Sequence, residues 1–234
     1  MARVLIHVEG QTEESFVNSV LAPHLYAHGY TGVAARLLGN ARQRDRRGGI
    51  RPWHAVRGDI LRHLNQDRVC LATTMVDYYA LPATGAAAWP GRAAAGTLGG
   101  ASADIKAVTV EAALAADIGR AMGSDFDPPR FLPFVVMHEF EGLLFSDCAG
   151  FGRGIGRPDL GPPLQQIRSQ FGTPEEINDS PLTAPSKRVE ALVSGYQKPL
   201  HGVLAARAIG LDAIGAACPH FRDWLERLEA WPAR

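Results

Sequence analysis

The sequence predicts an α/β protein: a core of about four parallel strands flanked by helices, followed by a C-terminal helical extension. Three observations predict it. Apolar runs recur at 3–9, 33–38, 69–76 and 131–138. Stretches with helical periodicity separate them, and continuous apolar strands alternating with helices are the pattern of a parallel sheet covered on both faces. Three of the runs end on carboxylates, at Glu9, Asp77 and Glu139-Phe140-Glu141. Ligands of open α/β sheets bind outside the carboxyl ends of the strands, so these acids stand where a site belongs.

The first strand, 3–9, stops at Glu9 and turns at Gly10. A helix over 12–28 follows, with Thr12 as its N-cap, Phe16, Val17, Val20, Leu21 and Leu25 as its apolar stripe, a kink at Pro23 and a stop at Gly29. After the second strand, 33–38, comes an arginine-rich loop running to Gly48-Gly49. Pro52 to Gln66 reads as an amphipathic helix with Val56, Ile60, Leu61 and Leu64 inward. The third strand, 69–76, repeats the grammar of the first: a buried run, then a carboxylate, Asp77.

Residues 78–103 are rich in Ala, Gly and Pro, and a long structureless connection in a compact domain is usually functional. The segment is expected to be a flap over the site, with Trp89-Pro90-Gly91-Arg92 at its middle. A helix over 104–122 leads to the fourth strand, 131–138, and a short helix starts over 142–147. Beyond Asp147 strand-like runs vanish. Helices are expected at 162–171, 174–178, 185–194, 199–208, 210–217 and 219–230. The division is therefore 1–147 for the α/β core and 148–234 for a helical cap packed on it.

Composition narrows the classes. Hydrophobic residues make up 46% of the 234, enough for a sizeable core. Basic and acidic residues both number 24, so only their distribution informs. Arg42, Arg44, Arg46, Arg47, Arg51, Arg57 and Arg62 crowd one region, while acids gather near Glu9, Glu13, Glu14 and near Glu139, Glu141. A basic rim beside an acidic pocket suits a polyanion next to a metal; a solvated face is the plainer reading of the arginines. Three widely spaced cysteines, with no C-x-x-C, argue against a zinc ribbon and fit a reducing cytoplasm. The opening MARVLIHVE is too short for a signal segment. No apolar run reaches the roughly 18 residues of a membrane span, so no membrane partner is expected.

The chemistry follows from the acids. Carboxylates brought together cannot all stay ionised unless a cation lies between them. Hard oxygen donors suit Mg2+ or Mn2+, so Glu9, Asp77, Glu139 and Glu141 are the candidate metal ligands and catalytic residues. Lys187, Lys198 and the arginines would neutralise phosphate charge. Glu13 is either a substrate contact or an acid complementing the helix dipole. Glu14 reads as solvated and His7 as a core histidine. His138 directly precedes Glu139 but lacks a partner at metal spacing.

A second informative stretch is NDSPLTAPSKRVE, 178–190. Thr183 can cap a helix there, placing Ser186, Lys187 and Arg188 in a first turn that either binds an anion or is simply capped. Tyr196, Gln197, Lys198 and His201 lie close by in sequence. A nucleophile reading is weaker: there is no G-x-S-x-G, and acids near Cys148 would raise its pKa. GRGIG at 152–156 does not follow a strand, so it is not a dinucleotide fingerprint, and no Walker A sequence is present.

Val8-Glu9-Gly10-Gln11-Thr12-Glu13 resembles the strand-one motif of Toprim domains, especially those of the overcoming-lysogenization-defect (OLD) nucleases. That resemblance covers about the first 150 residues. It implies a Rossmann-like parallel sheet and Mg2+ held by a Glu after strand one and an Asp-x-Asp after strand three. Glu9 matches the Glu and Asp77 the first Asp; the position of the second Asp is Tyr79, so one ligand of the usual set is missing. Nearly the whole chain, including HEFEGLLFSD and SPLTAPSKR, resembles a Toprim-related prokaryotic domain-of-unknown-function family, number four-two-seven-six. The resemblance implies defence-type gene neighbourhoods with an ATPase.

Three functions remain open. One is a metal-dependent nuclease, with Glu9, Asp77, Glu139 and Glu141 on the metal and Glu9 as general base. Lys187 would be catalytic with them, and Ser186, Arg188, Lys198, Glu13 and the arginines 42, 44, 46 and 47 would contact substrate. Another is a degenerate, non-catalytic partner of an ATPase. The third is a phosphatase or nucleotidyl enzyme with the flap closing over a small ligand. Expected partners are nucleic acid (DNA or RNA), an ATPase and a second copy of the chain, in the cytoplasm.

Overall fold

The computed structural model describes residues 1–38, 49–178, 180 and 182–233. The arginines at 42, 44, 46 and 47 lie outside the described residues. Strand β1 (Ala2–Val8) is the middle of a parallel sheet, with β2 (Tyr30–Leu37) on one side and β3 (Cys70–Asp77) on the other. β3 in turn pairs with two short strands, β4 (Phe131–Leu132) and β5 (Val135–Val136). All these pairings are parallel, as the continuous apolar runs predicted. Val8 lies opposite Met75, which brings Glu9 level with the end of β3.

The fourth strand is not the continuous 131–138 run expected. Pro133 carries no N–H for the ladder, so the strand divides around it. Thr74 of β3 bridges the gap: its hydroxyl accepts from the Phe134 N–H at 2.9 Å and donates to the Phe134 carbonyl at 2.9 Å. The chain then resumes as β5 and runs on to Glu139.

Two apolar clusters cover the two faces of the sheet. Helix α3 (Trp53–Gln66), helix α4 (Arg92–Thr97) and helix α5 (Ala103–Met122) pack on one, with Val56, Ile60, Leu64, Val110 and Leu114 buried beside Ala72 and Val76 of β3. The other face buries Val4, Ile6 and Val8 under α1 (Gln11–Phe16), α2 (Ala22–Ala27) and the C-terminal helices. Each fully buried Leu, Ile or Val contributes about 1.5–3 kcal/mol. The second cluster draws residues from both halves of the chain, Val4 to Leu228.

Several local expectations are corrected. The first helix begins at Gln11, not Thr12, because Gly10 takes the cap position and Thr12 is buried inside the first turn. The Glu13 carboxylate accepts the Gly10 N–H at 2.9 Å. Gly10 has no side chain to return the bond, so only half of a capping box forms. Around the expected kink the helix is interrupted by a π-helical turn, Val17–Leu21, and Pro23 lies in the first turn of α2. The second strand starts three residues earlier than the 33–38 expected, at Tyr30.

Residues 78–103 are not a structureless flap. Trp89, only 2% exposed, packs on Trp53 with ring centroids 5.0 Å apart and donates its Nε1–H to the Arg51 carbonyl. The Arg92 guanidinium stacks 3.9 Å from the Tyr78 ring centroid. Gly91, at φ +78°, presses against α5 so closely that a Cβ would lie 2.7 Å from the Thr109 carbonyl oxygen. The segment is thus tied to the α3 and α5 face by burial of a large aromatic that an Ala/Gly/Pro composition does not advertise.

The C-terminal part comprises α6 (Cys148–Gly154), α7 (Gly161–Arg168), α8 (Pro185–Leu192), α9 (Lys198–Ile209), α10 (Leu211–Ala217) and α11 (Pro219–Ala230). The 174–178 helix is only a 3-10 turn, Pro174–Glu176, and the one after Glu141 is a 3-10 stretch, Phe140–Ser146. Helix α6 is absent from the helices expected from the sequence, the first of which beyond Asp147 begins at 162. Its glycines permit close packing: a Cβ on Gly154 would sit 2.7 Å from the Leu204 carbonyl oxygen of α9. Helix α11 docks on the sheet through Trp224, whose Nε1–H donates to the Thr73 hydroxyl at 3.0 Å and whose ring stacks on Phe134 at 4.4 Å. No single helix among the described residues is long and apolar enough to cross a membrane; α9 and α10 qualify only together, across an 86° bend.

Candidate functional site

The strand-end acids come together at the carboxyl edge of the sheet. Glu9 Oε2 accepts the backbone N–H of Asp77 at 3.3 Å. Asp77 Oδ1 accepts the N–H of Phe140 at 3.0 Å. Glu139 Oε2 accepts the N–H of Ser186 at 2.9 Å. Four segments distant in sequence are thereby linked in one line: the ends of β1 and β3, the chain after β5, and the start of α8.

Lys198, at the first turn of α9, is the cation of the cluster. Its Nζ lies 3.4 Å from Glu141 Oε2 and 4.0 Å from Glu139 Oε1. Helix α9 reaches this position by approaching α1 at Gly202, where a Cβ would meet Thr12 Cγ2 at 3.0 Å and Phe140 Cε1 at 3.5 Å. Glu139 is extended and the 3-10 stretch starts at Phe140, yet both acids remain within reach of the same ammonium.

The electrostatics show an excess of acid. Burial, offset in part by the Asp77 N–H and Lys198, pushes Glu9 up to about 7. Burial also raises Glu13 to about 7, with the Glu9 charge adding to it. Glu141 rises to about 7 by burial against the pull of Lys198. Asp77 is raised well above its ordinary value by burial and then by Glu9, Glu13, Glu141 and Glu139. Burial lowers Lys198, but Glu141, Glu139 and Asp77 outweigh it and hold the ammonium above its ordinary value. Five carboxylates thus interact with one cation.

Two buried polar atoms here have no hydrogen-bond partner among the described residues: Glu141 Oε1 and the Tyr196 hydroxyl oxygen. Such atoms are rare and call for a cause such as an ion or a water. The hard oxygen donors, the orphaned Glu141 oxygen and the surplus acid fit a Mg2+ or Mn2+ ion. The acids are not drawn into a closed set: among the described residues, the three ligand atoms within 4.8 Å of one another belong to other side chains. Binding an ion would require the carboxylates to move inward and Lys198 to yield.

The remaining expected site residues divide. Glu13 lies within the electrostatic reach of the cluster while capping α1. Ser186 contributes its backbone N–H to Glu139, so the anion at the start of α8 is the chain's own carboxylate. Thr183 is not the cap; the cap position is Ala184, and the Thr183 hydroxyl bonds with Asn178. Lys187 pairs with Glu190 at 2.7 Å on the exposed side of α8. Arg188 is bound to the Thr183 carbonyl and Asn178 and lies over the Phe171 ring. These contacts direct Lys187 and Arg188 to partners other than the acids. Burial pushes the Cys148 thiol up to about 11, in keeping with an inert cysteine.

The Leu38 N–H donates to the Val8 carbonyl at 2.9 Å and the Gly49 N–H to the Glu9 carbonyl at 3.1 Å. Leu38 and Gly49 are therefore bonded to the end of β1, beside the acidic edge. Sequence reasoning missed a second network, in which Glu111 Oε1 receives the Val135 N–H and His220 Nε2, both at 2.8 Å. Glu175 completes it by accepting the N–H groups of His220 and Phe221 at the start of α11. No local motif marks such a set, because its members come from four separate elements.

Fold and site together define an α/β protein with a cluster of carboxylates and one lysine at the carboxyl edge of a parallel sheet. The chain belongs to the family described as Domain of unknown function (DUF4276), whose model matches residues 8–229. No curated protein matches it. Among solved structures, it is similar to the C-terminal region of the Xanthomonas campestris pv. campestris OLD protein. The identity is 15% and the TM-score 0.43, over 100% of this chain and 97% of that one.

Proposed function

We propose that the chain is a metal-dependent phosphodiester hydrolase, a nuclease of a defence-type system acting with an ATPase. The observation that carries the reading is the cluster of Glu9, Asp77, Glu139 and Glu141 at adjacent parallel-strand ends, with an orphaned oxygen on Glu141. These four would hold Mg2+ or Mn2+, which would polarise the phosphoryl group and lower the pKa of water. Glu9 would also serve as the general base that takes the proton of the attacking water. Lys198 would turn from Glu141 to the phosphoryl oxygens, and the Tyr196 hydroxyl would donate to them. The arginines 42, 44, 46 and 47, in the sequence between Leu38 and Gly49, would follow the nucleic-acid backbone.

A second reading is a degenerate subunit that binds and regulates an ATPase without cutting. Tyr79 in place of a second Asp, and a lysine already among the acids, favour it.

The experiment is cleavage of single-stranded DNA, duplex DNA and RNA with millimolar Mn2+, by wild type, Glu9→Gln and Asp77→Asn. A loss of about 100-fold or more in both variants supports the hydrolase. Equal cleavage by all three proteins overturns it. Mn2+ binding seen by electron paramagnetic resonance without cleavage, with the ATPase present, supports the second reading.

A further inference from the structure

We propose that His24, His28 and Glu229 form a separate site for a borderline transition-metal ion such as Zn2+. One ligand atom from each lies within 4.8 Å of the other two. His24 Nε2 is 2.7 Å from Glu229 Oε1, and the two imidazole rings lie 4.3 Å apart between centroids. A tetrahedral ion with bonds of 2.0–2.1 Å needs its ligand atoms about 3.4 Å apart. Small side-chain rotations therefore suffice.

The donor set is specific. Two imidazoles and one carboxylate, with a fourth position for water, is a recognised zinc arrangement. The histidines are four residues apart, His24 within α2 and His28 at its C-cap, and their rings are neighbours. His28 Nδ1 is 2.9 Å from the His24 carbonyl oxygen. That bond makes Nδ1 the protonated nitrogen and leaves the Nε2 lone pair for a metal, the outer-shell device that orients metal-bound histidines. All three side chains reach solvent in part, so an ion can enter.

The frame is set without the ligands. The Tyr30 hydroxyl donates to the Leu228 carbonyl at 2.8 Å, joining β2 to α11. At Gly29, φ +94°, a Cβ would stand 3.5 Å from Pro232 Cβ. These contacts hold the end of α2 against the end of α11, and an ion there would clip together residues 205 positions apart. Nitrogen donors favour Zn2+, Co2+ or Ni2+ over the Mg2+ and Mn2+ suited to the acids.

The test uses the full chain, stripped with a chelator, in a Glu9→Gln background to weaken the acidic site. ZnCl2 at about 100 times its dissociation constant should raise the unfolding midpoint by roughly 5–10 °C. CoCl2 should give the visible absorption of a tetrahedral, thiolate-free ion. Adding His28→Ala spares the His24–Glu229 pair and should cut Zn2+ affinity at least tenfold, as should Glu229→Gln. Zn2+ affinity unchanged by His28→Ala, or an octahedral cobalt spectrum at saturation, would overturn the site and leave an ordinary histidine–glutamate pair.

Discussion

The backbone N–H of Ser186 donates a 2.9 Å hydrogen bond to the Glu139 carboxylate. The helix start that resembles a phosphate site in sequence is closed by an acid from 47 residues earlier. Glu139 thus serves two roles, capping α8 and joining the acidic cluster. Glu139→Ala is expected to cost about 1 kcal/mol in urea denaturation, the usual worth of a helix cap. Glu139→Gln keeps the acceptor and should cost less than half of that. Equal losses would show that the cap contributes nothing.

Lys198 stands where a divalent ion would approach Glu141. Lys198→Met removes the competing cation, so Mn2+ should bind at least as tightly by isothermal calorimetry. Cleavage should nevertheless fall by roughly 100-fold, since the phosphoryl oxygens lose their cation. Weaker Mn2+ binding in Lys198→Met would show that the lysine supports the metal site.

The acids set a pH dependence of definite sign. Glu9, Glu13 and Glu141 are near 7 in the folded chain against an ordinary 4.5. Between these values the folded state holds more protons than the unfolded one, so metal-free stability falls as pH rises through that window. A divalent ion displaces those protons. The rise in unfolding midpoint caused by Mg2+ or Mn2+ should therefore grow from about pH 5.5 to about pH 8. An equal rise at both ends would count against metal binding by these carboxylates.

The Tyr196 hydroxyl is buried without a partner among the described residues. Tyr196→Phe should leave stability unchanged or raise it by about 1 kcal/mol, since an unpaired buried group is removed. If the hydroxyl donates to the phosphoryl group, kcat should fall while KM stays near its wild-type value. A stability loss with unaltered kcat would assign Tyr196 to packing alone.

Trp89 tests the segment expected to be a flap. Buried at 2% exposure against Trp53, it should cost about 3–5 kcal/mol as Trp89→Ala. A mobile cover would tolerate the change with almost no loss of midpoint in thermal unfolding.

The sequence by itself determined the parallel α/β core, because a doubly covered strand is a local signal: a short apolar run bounded by turns. It also placed Glu9, Asp77 and Glu139 at strand ends, since each closes or directly follows its run, with Glu141 two residues further on. Only the tertiary structure decided how those ends are linked. Register pairs Val8 with Met75, and the bonds from Asp77 to Glu9 and from Phe140 to Asp77 connect the edge. Nor does local sequence say that Lys198 rather than Lys187 meets the acids. That choice depends on the close approach of α9 to α1 at Gly202 and on the Glu190 carboxylate beside Lys187. Packing over long separations leaves no periodicity in the chain, so cations, caps and the His24–Glu229 pairing become visible only once the helices are in place.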